Sequence, residues 1–217
     1  MTLSRRFTAI AWIASSLITT LGMAVTPWES SRETADYLTT LGTHSTQGQI
    51  AAVILHFGFM ALVPAYFGLY WQMRDRAGKL GTIGGVLATF GAIGIAGTLV
   101  VDFYAIALQH NLPIDQAVKI EEASHASAGA AVIMLSSVFP MILGSLLLVI
   151  GAARKGLAPT WAAVALPLST VIAMTGAPSM AIVSSAIGLA ASLGVAHRLM
   201  RGERTQSARF EVAPAGA

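Results

Sequence analysis

The strongest constraint on this chain is a series of long apolar runs separated by short polar connections. The first run, 7–25, already approaches the roughly 20 residues that a helix needs to cross a hydrocarbon core about 30 Å thick. The mean hydropathy is +0.70, and only 11% of the residues are charged. These values exclude a soluble domain with charged helix surfaces, so the sequence predicts an all-α, polytopic membrane helical bundle.

Six such runs predict six transmembrane helices, which together form one domain over residues 1–200. The predicted spans are 7–25, 49–71, 80–108, 126–152, 161–175 and 179–199. Residues 201–217 are basic and end in a sequence rich in Ala, Pro and Gly, which predicts a disordered cytoplasmic tail. The chain has no cysteine, so disulfides, thiolate metal sites and cysteine nucleophiles are excluded.

The basic residues are segregated between the two sides that six spans define. Eleven of the thirteen Lys and Arg residues fall on the side of the two termini, and only Arg32 and Lys119 fall on the other. Because loops rich in Lys and Arg stay inside, both termini are predicted to be cytoplasmic, in the cytoplasmic membrane. The basic face suits anionic lipid headgroups. Spaced arginines after a membrane helix are typical of a topology anchor, so no nucleic-acid partner is predicted.

A first candidate site is a polar pocket near the outer ends of the second and third spans. Asp102 lies about 9 Å below the end of its predicted helix, and His56 enters from the same side to about the same depth. Gln109 follows Asp102 by seven residues and falls on the same helical face. An intramembrane carboxylate costs roughly 2.5–3.5 kcal/mol on insertion scales, which makes it a functional-site candidate. We therefore expect Asp102 and His56 within hydrogen-bonding or single-water reach; the alternative is a structural hydrogen bond that joins two helices.

A second candidate site gathers histidines and acids of the outer face. Glu122 and His125 stand three residues apart, which places a carboxylate and an imidazole on one face of a helix. His110 and His44 belong to the same side, and these ligand types suit Zn²⁺ or Cu²⁺. The alternative is a solvated first turn of the fourth span, where acidic residues favour the helix N-terminus. The sequence specifies no other cofactor.

Small residues form a stripe along the third span. Gly84, Ala88, Ala92 and Ala96 recur at every fourth position. Such a stripe allows the backbone of another helix to approach closely, and helix packing is the favoured interpretation. A cleft for a cofactor or lipid is the alternative.

Spans two to four also carry local sequences with a family resemblance. The second span contains HFGFM at 56–60 and VPA at 63–65, and the turn RDR at 74–76 leads into LGTIGG at 80–85. In this plan the chain resembles an uncharacterised bacterial six-helix integral membrane protein family, a domain of unknown function. The resemblance implies the six-helix fold, but it implies no activity and no site residues.

Two classes of function are consistent with these features. One is the binding of a small apolar or amphipathic molecule, or service as an accessory membrane subunit. The other is a metal-dependent or redox membrane enzyme that uses the His, Asp and Glu residues of the outer face. The sequence does not define catalytic residues, a ligand or an oligomeric state.

Overall fold

The computed structural model describes residues 4–74, 78–175 and 180–211. These residues form nine α-helices, and none of them lies in a β-strand. The helices are α1 (Arg5–Val25), α2 (Thr34–Thr43), α3 (Ser45–Met73), α4 (Gly78–Thr98), α5 (Val101–Asn111), α6 (Ile114–His125), α7 (Ala128–Arg154), α8 (Ala162–Thr175) and α9 (Met180–Glu211).

Five segments are long and apolar enough to cross a membrane. They are Arg5–Val25, Ser45–Met73, Lys79–Asn111, Ala128–Arg154 and Met180–Gly202. The fifth predicted span, 161–175, is the shorter helix α8, which has 14 residues. At about 1.5 Å per residue α8 is about 21 Å long, less than a hydrocarbon core of about 30 Å. The fold is therefore that of a helical protein suited to cross a membrane several times.

Six of the helices pack into a closed ring that follows the order of the chain. Helix α1 packs against α3 and α9, α4 packs against α3 and α7, and α8 packs against α7 and α9. Neighbouring helices are antiparallel, as α1 and α3 illustrate. A β-carbon on Gly58 would contact Thr19, whereas one on Gly68 would contact Thr8. We refer to these six helices as the ring.

The two ends of the ring differ in what they carry. A β-carbon on Gly202 would contact the Arg5 side chain, so the start of α1 and the later part of α9 meet at one end. We refer to this end as the termini end. The short helices α2, α5 and α6 pack together at the opposite end around buried Leu38, Leu41 and Ile106. We refer to these three helices as the cap, and to their end of the ring as the cap end.

The wall between α4 and α7 is built on backbone contact. A β-carbon on Gly144 would meet the backbone of Ala88, and one on Gly84 would meet the backbone of Leu148. Ala88 is fully buried. Because only very small side chains permit this approach, the helix-packing interpretation of the small-residue stripe is confirmed for Gly84 and Ala88.

The third predicted span, 80–108, is not one continuous helix. Helix α4 ends at Thr98, a turn follows at residues 99–100, and α5 begins at Val101. Thr98 Oγ1 donates a 2.8 Å hydrogen bond to the carbonyl of Ile95, and Gly97 precedes it. A local side-chain bond and a glycine both weaken helix propagation, which explains the break. Asp102 consequently lies in the first turn of a cap helix.

The start of the fourth span also differs from the prediction. Helix α7 begins at Ala128 because the Ser127 hydroxyl accepts a 3.2 Å hydrogen bond from the amide of Ala130. The preceding residues form the separate helix α6. Glu122 and His125 therefore lie in the last turn of α6, not in a first turn of the fourth span.

The basic tail is helical for longer than the sequence indicated. Helix α9 continues to Glu211, and residues 212–217 lie outside the described residues. Between Gly202 and Glu211 there is no proline, and Glu, Arg, Gln and Ala are good helix formers, so the last membrane helix propagates.

Candidate functional site

A cavity of about 290 Å³ lies inside the ring, a volume near the lower limit for small-molecule sites. All six ring helices contribute to its walls, and none of the described residues of α2, α5 or α6 does. On α1 the lining extends from Met23, close to the cap end, down to Ser15, ten residues before the end of the helix. Ten residues correspond to about 15 Å, so the cavity reaches from the cap end to about mid-depth. We refer to it as the ring cavity.

Hydroxyl groups supply most of the polar lining of the ring cavity. From α1 and α4 the residues are Ser15, Ser16, Thr19, Thr20 and Thr98. From α8 and α9 they are Ser169, Thr170, Ser184, Ser185 and Ser192. The rest of the lining is largely apolar and includes Phe59 and Met141. No Asp, Glu, Lys, Arg or His occurs among the described residues that line it.

Two hydroxyls on the cavity face of α1 are buried without a hydrogen-bond partner. They are Ser15 Oγ and Thr19 Oγ1, and the Ser15 side chain is fully buried. By contrast, the Ser169 hydroxyl donates to the carbonyl of Leu166 at 2.7 Å, and the Ser184 hydroxyl donates to the carbonyl of Ser169 at 2.5 Å. A buried polar group without a partner costs about 1–3 kcal/mol. Ser15 and Thr19 line the cavity, but their oxygen atoms are themselves buried, so a molecule in the cavity reaches these unpartnered hydroxyls only after a side-chain rotation.

Aromatic packing fixes the same face of α1 one turn deeper. Trp12 is fully buried and meets Tyr66 of α3 edge to face, with ring centroids 5.4 Å apart. Tyr66 lines the ring cavity, so Trp12 lies directly behind the cavity wall. This aromatic contact therefore fixes the packing of α1 against α3 one turn below Ser15.

A second polar region lies in the cap, where Tyr37 of α2 bonds to Asp102 of α5. The Tyr37 hydroxyl donates a 2.9 Å hydrogen bond to Asp102 Oδ1. Burial raises the pKa of Tyr37, and the negative charge of Asp102 raises it further. The phenol is therefore neutral and can donate. Glu121 of α6 acts on the pKa of Tyr37 in the same direction. We refer to Tyr37, Asp102 and Glu121 as the cap cluster.

Glu121 is the most buried carboxylate of the cap cluster. It is 4% exposed, and its Oε1 atom has no hydrogen-bond partner. His125, one turn later on α6 and largely exposed, places Nε2 3.7 Å from that oxygen. A protonated His125 would therefore be an ion-pair partner for Glu121, in contact with solvent.

The structure distributes the residues of the predicted polar pocket among different partners. Asp102 bonds within the cap cluster, while His56 Nδ1 lies 2.9 Å from the carbonyl oxygen of Ala96 on α4. Gln109 packs over Gly42, where a β-carbon would collide with its side chain. Asp102 and His56 do not hydrogen-bond to each other; each joins two helices through a different partner.

The residues of the metal hypothesis are also spread out. His110 Nε2 lies 3.1 Å from the carbonyl oxygen of Gly42, His125 is beside Glu121, and Glu122 is exposed. His44 joins α2 to α3. No group of three or more His, Asp or Glu side chains that suits a metal ion occurs within the described ranges. These residues do not fit a bound metal, and no chemistry is assigned to one.

Sequence reasoning missed the hydroxyl lining because serine and threonine are unremarkable in membrane helices. A signal was nevertheless present. Adjacent hydroxyl pairs occur in four predicted spans, at 15–16 and 19–20 in the first, 136–137 in the fourth, 169–170 in the fifth and 184–185 in the sixth. All of these residues except those at 136–137 line the ring cavity. Most of the ionisable candidate residues lie in the cap, whereas most of the paired hydroxyls line the cavity.

Comparison with known proteins finds no family model, no curated protein and no solved structure that matches the chain.

Proposed function

We propose that the protein binds one small neutral amphipathic molecule in the ring cavity, within a membrane. The observation that carries this proposal is the pair of buried, unpartnered hydroxyls, Ser15 and Thr19, in a cavity whose described lining has no charged side chain. A molecule with an apolar body and a hydroxyl or carbonyl group would satisfy them. Burying a charged group there would be strongly unfavourable, because the lining has no opposite charge.

The depth of the hydroxyls supports a neutral polar group as the recognised feature. Ser15 lies about 15 Å from the cap end of α1, roughly half the thickness of a hydrocarbon core. At that depth a lipid-dissolved hydroxyl has no water to bond. A hydrogen bond to Ser15 or Thr19 is therefore favoured over no bond at all, by the several kcal/mol that an unsatisfied group costs in lipid.

The proposal includes a membrane topology with six crossings and both termini in the cytoplasm. The antiparallel ring supports six crossings if α8 completes its crossing with the residues that flank it. The termini end carries Arg5, Arg6, Arg154 and Lys155, which suit cytoplasmic anionic lipid. The cap would then face the outside of the cytoplasmic membrane.

Trp12 provides a direct test of cavity binding because it lies behind Tyr66. Replacement of Trp28, Trp71 and Trp161 with Phe leaves Trp12 as the sole tryptophan. A nitroxide-labelled long-chain alcohol, titrated into vesicles that contain this protein, should quench Trp12 in a saturable manner. Quenching that rises only linearly with the alcohol in the bilayer would contradict the proposal.

A matched pair on α8 controls this test. Ala173 lines the cavity, whereas Leu168 is 46% exposed on the same helix and does not line it. Ala173→Phe should fill the cavity and remove the saturable component. Leu168→Phe adds a ring on the outer surface and should leave it unchanged.

A further inference from the structure

The cap-end part of α7 is exposed on every side. Residues 131–136 are all exposed, and they include Val132 at 65%, Met134 at 46% and Leu135 at 67%. Six consecutive residues at about 100° per residue cover the full circumference of a helix. The side of this segment that faces the ring interior is therefore not covered by another helix.

Met134 connects this uncovered segment to the ring cavity. It lines the cavity although it is nearly half exposed, while Met141, seven residues later on the same face, lines the cavity and is 5% exposed. The two methionines thus mark an open part and a closed part of one wall. The cavity is open beside Met134.

The neighbours of α7 explain why the wall ends there. Helix α4 packs along α7 up to the contact between Gly94 and Ser137 and ends at Thr98. The chain then continues into α5 of the cap. On the other side, Thr170 and Ala173 of α8 line the cavity. The gap is consequently bordered by the cap-end part of α7 and by the part of α8 that carries Thr170 and Ala173.

We infer that the bound molecule enters and leaves sideways, from the cap-end leaflet of the bilayer, through this gap between α7 and α8. The inference rests on the proposed function and specifies its ligand as a lipid-phase neutral amphiphile. The polar group reaches Ser15 and Thr19, and the apolar chain extends past Met134 into lipid. The apolar rim, with Ile133 and Leu135 exposed beside Met134, matches hydrocarbon and disfavours passage of a polar, water-dissolved ligand.

The absence of native cysteine permits a specific block of the gap. In the protein that keeps only Trp12, Met134→Cys is modified with cyclohexylmaleimide. The control is Val132→Cys with the same reagent, because Val132 is two residues away and faces roughly the opposite side of α7. Trp12 quenching is then followed in time after rapid addition of the nitroxide-labelled alcohol.

The block at residue 134 should slow quenching by about tenfold relative to the block at residue 132, because the attached group lies in the route to the cavity. Equal rates with saturable quenching would overturn the lateral gap but leave the proposed function standing. Unsaturable quenching in all variants would overturn the proposed function itself.

A second measurement separates the lipid phase from water as the source. A sulfonated, membrane-impermeant maleimide should fail to modify the cysteine at 134 as completely as it fails at 132. Rapid modification at 134 alone would reveal a water path to the cavity and would overturn the lateral gap.

Discussion

The cap cluster and the ring cavity are two polar regions of the molecule, and they differ in charge and in the space that they enclose. The cap cluster concentrates ionisable groups, but Tyr37 and Asp102 satisfy each other across 2.9 Å. The ring cavity has no charged side chain in its described lining, yet it has space and two hydroxyls without partners. In the cap, Tyr37 and Asp102 therefore form a structural joint, whereas the candidate binding site is the uncharged cavity that carries the unpartnered hydroxyls Ser15 and Thr19.

The joint and the cavity are linked along the chain through the turn at 99–100. Thr98 and Leu99 line the cavity, and Asp102 follows within one helical turn. The two regions nevertheless use separate side chains, so substitutions should separate their effects. The predictions that follow are ordered by the size of the expected effect.

The largest effect should come from a substitution in the wall between α4 and α7, which encloses part of the cavity. Gly144→Leu would force a side chain into the backbone of Ala88, and overpacking of this kind costs about 1–3 kcal/mol or more. We expect loss of folded protein from membranes and loss of Trp12 quenching. Gly129→Leu, on the same helix, is the control because a β-carbon there meets nothing within 4 Å. An equal yield of the two variants would show that the close backbone contact between α4 and α7 is not required for folding.

Breaking the joint in the cap should lower stability and leave ligand binding intact. Tyr37→Phe removes the donor to Asp102, and loss of a partner for a half-buried carboxylate costs about 1–3 kcal/mol. Asp102→Asn keeps an acceptor for the Tyr37 hydroxyl and should cost less. Thermal unfolding measures the loss, and a double-mutant cycle isolates the pair. If either variant also abolished saturable Trp12 quenching, the separation of the two regions would be incorrect.

Removing an unpartnered hydroxyl from the cavity should lower ligand affinity and leave stability unchanged, which is the opposite of the effect of the cap substitutions. Ser15→Ala should lower the affinity for the nitroxide-labelled alcohol about fivefold, equivalent to about 1 kcal/mol for one hydrogen bond. It should not lower the thermal stability, because no internal bond is lost. Ser145→Ala on α7 is the control: its hydroxyl donates to Ile142 at 3.0 Å, so its loss should lower stability and leave affinity unchanged.

The smallest effect concerns pH and the start of α2. Hydrogen bonds from the Ser31 amide and the Ser30 hydroxyl lower the pKa of Asp36 below its ordinary value near 3.8. Because the folded pKa is depressed, its contribution is complete above that ordinary value and is lost as pH falls through the folded pKa. The protection of the α2 amides against hydrogen exchange, after correction for the intrinsic pH dependence of exchange, should therefore fall in that acidic window. Asp36→Asn should show no such fall, and Trp12 quenching should not change with it.

The sequence predicted the helical architecture well because hydrocarbon imposes one dominant requirement. The run at 7–25 corresponds to α1, and the runs at 49–71 and 126–152 correspond to α3 and α7. The break after Thr98 was missed because it depends on one local hydroxyl bond inside an apolar run. The short run at 161–175 corresponds to α8 to within one residue, so the length of this helix was predicted as well.

The site was harder to predict because it depends on rotation about helix axes. Depth along a helix follows from residue counting, and it placed Asp102 and His56 near the same end. In the structure Asp102 meets Tyr37 of α2, while His56 meets Ala96 of α4. No periodicity in the sequence indicates that α2 would fold back onto α5. Packing decides such pairings, and the hydroxyl pairs became meaningful only when the ring brought them together.

The most direct test of the central claim is the amount of neutral lipid that the purified protein retains. Organic extracts of the wild type, Ala173→Phe and Leu168→Phe, each purified in the same mild detergent, are compared by mass spectrometry. The account predicts about one neutral hydroxyl- or carbonyl-bearing amphiphile per chain in the wild type and in Leu168→Phe, as expected for a single site, and its loss from Ala173→Phe. Equal retention by all three proteins, or retention of charged lipids alone, would contradict the assignment of the ring cavity as the binding site.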